Sequence, residues 1–111
     1  MKSPILFIGY EPSLHDEIRE FLKERQGKAH FTGTAEETIL LMNSEDIGTV
    51  VLNMQRIEDA AILRYINLNY QETRVILMPG SKLREAIPAL AAGNYEILQE
   101  PFRLEELLTH L

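Results

Sequence analysis

Short, continuous apolar runs alternate with segments of helical period from one end of this chain to the other. Ile5-Leu6-Phe7-Ile8, Thr49-Val50-Val51-Leu52 and Val75-Ile76-Leu77-Met78 are apolar at nearly every position. A strand of that kind has to be covered on both faces, which is the condition of a central strand in a parallel sheet with helices packed on either side. His30-Phe31-Thr32 and Ile97-Leu98 are weaker runs and read as edge or near-edge strands. At 111 residues the chain has room for one core, so residues 1–111 are expected to form a single domain.

The segments between the strands read as helices. In the first, Leu14, Ile18, Phe21 and Leu22 share a stripe, with Arg25 at its end, while His15, Asp16, Glu17, Glu20, Lys23 and Glu24 face water. Pro12 suits its first turn. The second opens on Thr34-Ala35-Glu36-Glu37, a capping-box spacing, ahead of Ile39, Leu40, Leu41 and Met42. The third runs through Ala60, Ile62, Leu63 and Ile66, and the polar stretch from Asn67 to Thr73 returns the chain to the fourth strand. Pro88 interrupts the fourth and disfavours a helical Ile87, which predicts a long loop after Gly80 and a shortened helix ending at Gly93. Leu104, Leu107, Leu108 and Leu111 form the stripe of a last helix that stops in phase, as if more chain follows. Five such units predict an α/β fold: a doubly wound, five-stranded parallel sheet with five helices, of flavodoxin-like type. Sheets of this kind place their working site at the carboxyl ends of the central strands, where strand order reverses.

Composition removes whole classes of function. The formal net charge is −6 and the acidic residues are spread along the chain, so no basic stripe is available to neutralise phosphates, and direct nucleic-acid binding is not expected. With no cysteine, disulfides, thiolate metal sites and cysteine nucleophiles are out of reach. No apolar run approaches the roughly 20 residues of a membrane-spanning helix, and the N-terminus lacks a signal-type stretch, so a cytoplasmic protein without a membrane partner is the expectation. His15, His30 and His110 sit on different elements without paired spacing, and no metal centre is predicted from them. Neither a glycine-rich phosphate loop, a nucleophile elbow nor a metalloprotease helix motif occurs, which leaves no basis for an enzyme.

The residues at the strand ends carry a resemblance. The first strand leads into Gly9-Tyr10-Glu11-Pro12-Ser13-Leu14, the third ends in Leu52-Asn53, and the fourth runs into Pro79-Gly80. Ala89-Leu90-Ala91-Ala92-Gly93 and Ile97-Leu98-Gln99-Glu100-Pro101-Phe102 follow in order. Together these pieces resemble the receiver domains of bacterial response regulators, over essentially the whole chain. The family has two aspartates before Glu-Pro-Ser-Leu, a phosphoacceptor aspartate ending the third strand, and a threonine or serine with a small residue after the fourth. Its later motifs are Ala-Leu-x-x-Gly and Tyr-Leu-x-Lys-Pro-Phe.

The resemblance implies phosphoryl transfer to an aspartate, with a carboxylate-held divalent metal, a charge-balancing lysine and a sensing hydroxyl; each part works by position and charge. This sequence departs from that pattern at every one of those positions. Gly9 and Tyr10 replace the acidic pair, leaving Glu11 as the one nearby carboxylate, so no magnesium and no cofactor is expected. Asn53 has the acceptor's shape without its charge. Pro79 replaces the hydroxyl, Glu100 reverses the lysine's sign, and Ile97 takes the place of the switch aromatic. Ser81 stands two residues past Pro79 and can supply a hydroxyl only if the loop shifts. The family also implies a cis peptide at Pro101, fixing how the last helix begins. Two readings of Tyr10 stand: a surface aromatic, or a ring lying over the altered pocket and bonded to Asn53 or Glu100.

The sequence therefore reads as a degenerate receiver, or pseudo-receiver, forming the N-terminal part of a longer signalling or transcription regulator. It is expected to act independently of phosphorylation, by binding a protein partner or by dimerising. The receiver habit points to the face of the fourth helix, last strand and last helix, Leu83 to Leu111. The alternative is a small-ligand sensor using the remodelled pocket at Tyr10, Asn53 and Glu100, for which a deep cavity there is the discriminating observation. An enzyme of flavodoxin-like fold ranks below both.

Overall fold

A computed structural model describes residues 4–80, 83–87, 93–98 and 106. Ser81, most of the expected fourth helix, Glu100, Pro101 and the last helix other than Glu106 lie outside the described residues. Five parallel strands form one sheet: β1 (Ile5–Ile8), β2 (Ala29–Thr32), β3 (Thr49–Met54), β4 (Arg74–Pro79) and β5 (Glu96–Ile97). Their spatial order is β2-β1-β3-β4-β5, with Ile5 opposite both Ala29 and Thr49, and Thr49 opposite Arg74. In this doubly wound order the chain moves outward from β1 to β2 and then the other way from β3 through β4 to β5, so the strand order reverses between β1 and β3.

Among the described residues three α-helices connect these strands: α1 (Pro12–Lys23), α2 (Ala35–Ser44) and α3 (Ala60–Asn69). Single 3-10 turns occur at Ile57–Asp59 and Arg84–Ala86, and Glu106 is helical. No helix among the described residues is long and apolar enough to cross a membrane.

The alternation of side chains along each strand divides the core in two. Ile5, Phe7, Val51, Ile76 and Met78 point to one face, where Ile18 and Leu22 of α1 cover them with Leu98. Leu6, Ile8, Val50, Leu52, Val75 and Leu77 point to the other, under Met42 of α2 and Ile62, Leu63 and Ile66 of α3. Each of these buried side chains contributes about 1.5–3 kcal/mol relative to exposure, so both faces of the three central strands are fixed by transfer from water.

The local signals for α2 act in a modified form. Thr34 Oγ1 accepts from Glu37 N at 3.1 Å, while Glu37 Oε1 accepts from Gly33 N at 3.2 Å instead of from the cap residue's own N–H. Thr38 is buried beneath, donating to Thr34 O and bonded to Thr32 Oγ1, both at 2.8 Å, which ties α2 to the edge of the sheet.

The chain differs from the sequence expectation at several places. The α3 helix continues past Ile66 to Asn69, because Tyr70 N still finds Ile66 O at 2.7 Å and Tyr65 and Tyr70 pack against the core. The last strand starts one residue early, at Glu96, which gives Arg74 an ion-pair partner in the neighbouring strand. Ile87 takes helical angles, φ −53° and ψ −48°, despite preceding Pro88. It is fully buried, so packing outweighs the local preference of a residue before proline. Leu83 N donates to Gly80 O at 3.0 Å and a 3-10 turn follows at Arg84–Ala86, while residues 81, 82 and 88–92, on which the expected long loop and shortened helix fall, lie outside the described residues. On α1, Leu14, expected on the apolar stripe, is 41% exposed while His15, expected in water, is half-buried.

Candidate functional site

The carboxyl ends of β1, β3 and β4 bring Gly9, Tyr10, Asn53, Gln55, Pro79 and Gly80 into one neighbourhood. Gly9 leaves β1 with φ +85°, and a Cβ built on it would stand 3.2 Å from the Asn53 carbonyl oxygen. Only a residue without a side chain takes that backbone without strain so close to β3. The absence of a side chain lets Asn53 Nδ2 donate to Gly9 O at 2.9 Å. Gln55 Nε2 donates in turn to Asn53 Oδ1 at 2.7 Å. The Gln55 carboxamide also lies against Gly80, so it spans from β3 toward β4.

Asp59 holds the segment that carries Gln55. Its carboxylate is buried and accepts from Gln55 N at 3.1 Å and Arg56 N at 3.0 Å, with the Arg56 guanidinium at 3.3 Å. Three donors on one carboxylate compensate the burial of its charge and fix the turn between β3 and α3.

Tyr10 turns inward. Its ring meets Phe7 edge-on at 5.8 Å between centroids, and its hydroxyl donates to the Met78 sulfur at 2.7 Å, so the side chain reaches from the end of β1 over β3 to β4. The reading in which Tyr10 is a surface aromatic is therefore corrected by its packing. The described partner of its hydroxyl is Met78, not Asn53, whose amide is committed to Gly9 and Gln55. His15 follows one turn into α1, stacked on Phe31 at 4.0 Å and bonded through Nε2 to Tyr10 O at 3.0 Å.

The remaining expected positions are less central. Glu11 caps α1 with its backbone, its side chain exposed and making no cap bond. Pro79 is buried at the end of β4 opposite Met54, and the ladder continues through Gly80 N to Met54 O at 2.9 Å. Ile97 lies on the edge strand β5 opposite Leu77 and is 38% exposed. Glu100 and Pro101 lie outside the described residues.

The donor set does not suit a divalent cation. Gly9 offers only a carbonyl already bonded to Asn53, the Asn53 amide is neutral, and Asp59 is engaged by three N–H groups. Among the described residues no three of His, Asp and Glu converge. Hard cations of the magnesium type select anionic oxygens, and these residues do not supply them.

Gln55 and Asp59 were missed in the sequence although each has a signal. Gln55 follows Asn53 by two residues, which on an extended segment places both amides on one face. Asp59 stands immediately before the helical period of α3, where a short carboxylate serves the preceding turn.

No family model matches the sequence, and no curated protein matches it. Solved structures do resemble it in fold. The signal receiver domain of an HD domain-containing protein from Pseudomonas fluorescens Pf-5 superposes with a TM-score of 0.82 at 20% identity, over 98% of this chain and 90% of that one. NtrX from Brucella abortus, in complex with ADP, gives 0.79 at 20% identity, over 99% of this chain and 25% of that one. The chain spans about a quarter of NtrX. The response regulator TrrA from Thermotoga maritima, in complex with Mg2+–BeF, gives 0.72 at 20% identity, over 97% of each chain. TrrA is also known in complex with the histidine kinase ThkA. The shared feature at these identities is the architecture, and the chain has the receiver-domain fold.

Proposed function

We propose that this chain is a non-catalytic, receiver-like signalling module that acts by protein–protein contact, with a partner or a second copy of itself, and without an aspartyl-phosphate switch. The observation that carries this reading is Asn53. It is the penultimate residue of β3, at the position the receiver resemblance gives to the phosphoacceptor, and it presents an amide directed at the Gly9 carbonyl. An amide is not a carboxylate nucleophile, and an acyl phosphate has no carboxylate oxygen here to form on. Gly9 and Tyr10 in place of the acidic pair leave the metal unprovided for, Pro79 has no hydroxyl to sense a phosphoryl group, and Glu100 adds a negative charge where the family has a positive one.

Protein partnership is supported by the fold, since neighbours of the same architecture include a regulator bound to its kinase. The face between Leu83 and Leu111 is the proposed contact, with β5 at the sheet edge and Ile97 partly exposed on it. The setting that fits is a cytoplasmic response regulator or transcription regulator of which this domain is one part. The ligand-sensor reading is disfavoured among the described residues, because the Tyr10 ring is packed against Phe7 and the Asn53 amide is already bonded on both sides.

The test is a 15N NMR titration with acetyl phosphate, and separately with beryllofluoride and Mg2+. The spectrum is expected to stay unchanged, and intact mass is expected to show no labile phosphate. Shifts clustered at Gly9, Asn53 and Gly80 under either reagent would overturn the reading. Sedimentation of the domain and co-purification with the full-length protein then separate self-association from a heterologous partner.

A further inference from the structure

We infer that Gln55 is a positioning residue that keeps the strand-end site closed by holding the Asn53 amide in one orientation. This rests on the proposed reading of Asn53 as a residue that is not phosphorylated, and extends it to the cause of the site's fixed state.

The directions of the two amides follow from one group. Gly9 O can only accept, so Asn53 must present its NH2 to it, at 2.9 Å. Asn53 Oδ1 therefore faces the other way, and Gln55 must present its own NH2 there, at 2.7 Å. The relay runs from Gln55 through Asn53 to Gly9 with no alternative assignment that satisfies all three groups. Gln55 is held in reach from behind, its backbone N–H bonded to the buried carboxylate of Asp59. On its far side the carboxamide oxygen stands 2.8 Å from where a Gly80 Cβ would be, so the side chain occupies the gap between the β3 and β4 ends.

The site is thus filled by the chain's own amides. An Asn53 side chain without Gln55 keeps one of its two bonds and is free to turn its oxygen outward, so Gln55 decides whether the end of β3 has one state or several. Gln55 is itself exposed and contributes nothing to the core, so its role is separable from folding.

The test uses hydrogen exchange of the Asn53 side-chain NH2, followed by NMR in the wild-type protein, Gln55→Ala and Gln55→Glu. Loss of one neutral hydrogen bond predicts exchange about fivefold faster in Gln55→Ala, with the rest of the spectrum unmoved. Gln55→Glu at neutral pH places a carboxylate against the Asn53 oxygen and should behave like Gln55→Ala or worse. Below the ordinary glutamic-acid range, about pH 4.3, its carboxyl gains a proton to donate, and with every rate taken relative to wild type at the same pH the protection should return in Gln55→Glu alone. A simple packing role would not produce that recovery. Exchange within twofold of wild type in both variants, or Gln55→Glu tracking Gln55→Ala into acid, would overturn the inference. Because no phosphate analogue is added, such a failure leaves the phosphorylation-independent reading standing, and a response to beryllofluoride would remove that reading whatever Gln55 does.

Discussion

The Asn67 side chain fills the space that Gly93 leaves open. A Cβ on Gly93 would stand 2.3 Å from Asn67 Nδ2, and Gly93 itself has φ +128°. The end of α3 and the segment leading into β5 are thereby fitted together at a point where only glycine serves. Gly93→Ala is expected to destabilise the domain by about 1–3 kcal/mol, through backbone strain and the displaced amide together. Asn67 Nδ2 is buried without a hydrogen-bond partner, so Asn67→Ala should cost little. Combining the two should recover the steric part alone, giving a non-additive cycle in urea denaturation. Additive losses would show that the contact is not the constraint.

Thr34 is the hinge of a second local network. It accepts from Glu37 N and donates to Glu37 Oε1, both at 3.1 Å, while the buried Thr38 hydroxyl leans on Thr34 O. Thr34→Ala removes the cap and is expected to cost about 1 kcal/mol, read as a lower denaturation midpoint with unchanged slope. Thr34→Ser, which keeps the oxygen, should stay close to wild type.

The strands were legible because an element buried on both faces has no choice but to be apolar throughout, and Leu6, Val51 and Ile76 meet that condition in plain view. The parallel sheet was read from the alternation of strands and helices, whereas the order β2-β1-β3-β4-β5 came from the structure. What escaped the sequence depends on partners far along the chain: the inward turn of Tyr10 needs Phe7 and Met78, the helical angles of Ile87 need the core that buries it, and the stacking of His15 needs Phe31. The candidate site was half legible. Gly9 and Asn53 stand out by what they lack, whereas their hydrogen bond exists only because β1 and β3 are neighbours, and no local pattern states that.

Tyr70 is expected to add an alkaline dependence to the stability of the fold. Its hydroxyl bonds to Asn43 Oδ1, which also accepts from Tyr65 at 3.5 Å. Loss of solvent, and then the neighbouring Tyr65 hydroxyl, push the Tyr70 hydroxyl above the ordinary tyrosine value. Because the folded value is the higher one, the neutral hydroxyl favours the fold. That contribution is complete below about pH 10, the ordinary value, and is lost as pH rises through the raised one. Tyrosinate absorbance should show a step above the ordinary range that Tyr70→Phe removes. The same substitution should flatten the fall in stability on that side; an unchanged titration would rule Tyr70 out as the source.

Restoring the acids the receiver resemblance implies should not restore a metal site, and the reason lies in the backbone. At φ +85° a side chain on residue 9 would start toward the Asn53 carbonyl, with its Cβ 3.2 Å from that oxygen. A carboxylate there begins beside another acceptor instead of opening onto the strand ends. Asn53→Asp makes matters worse, since it removes the donor that now meets Gly9 O at 2.9 Å and sets oxygen against oxygen. The combined variant Gly9→Asp with Asn53→Asp is therefore expected to lose about 1–3 kcal/mol relative to wild type, by strain and by an unpaired carbonyl. A ligand that binds the folded state raises its stability by mass action, so Mg2+ titrated into a denaturation series reports directly whether a site has formed. No Mg2+-dependent rise in midpoint is expected for wild type, either single variant or the pair. A rise confined to the pair would mean that β1 relaxes its left-handed exit once two carboxylates are present, and that the geometry at Gly9 follows from the missing acids instead of excluding them.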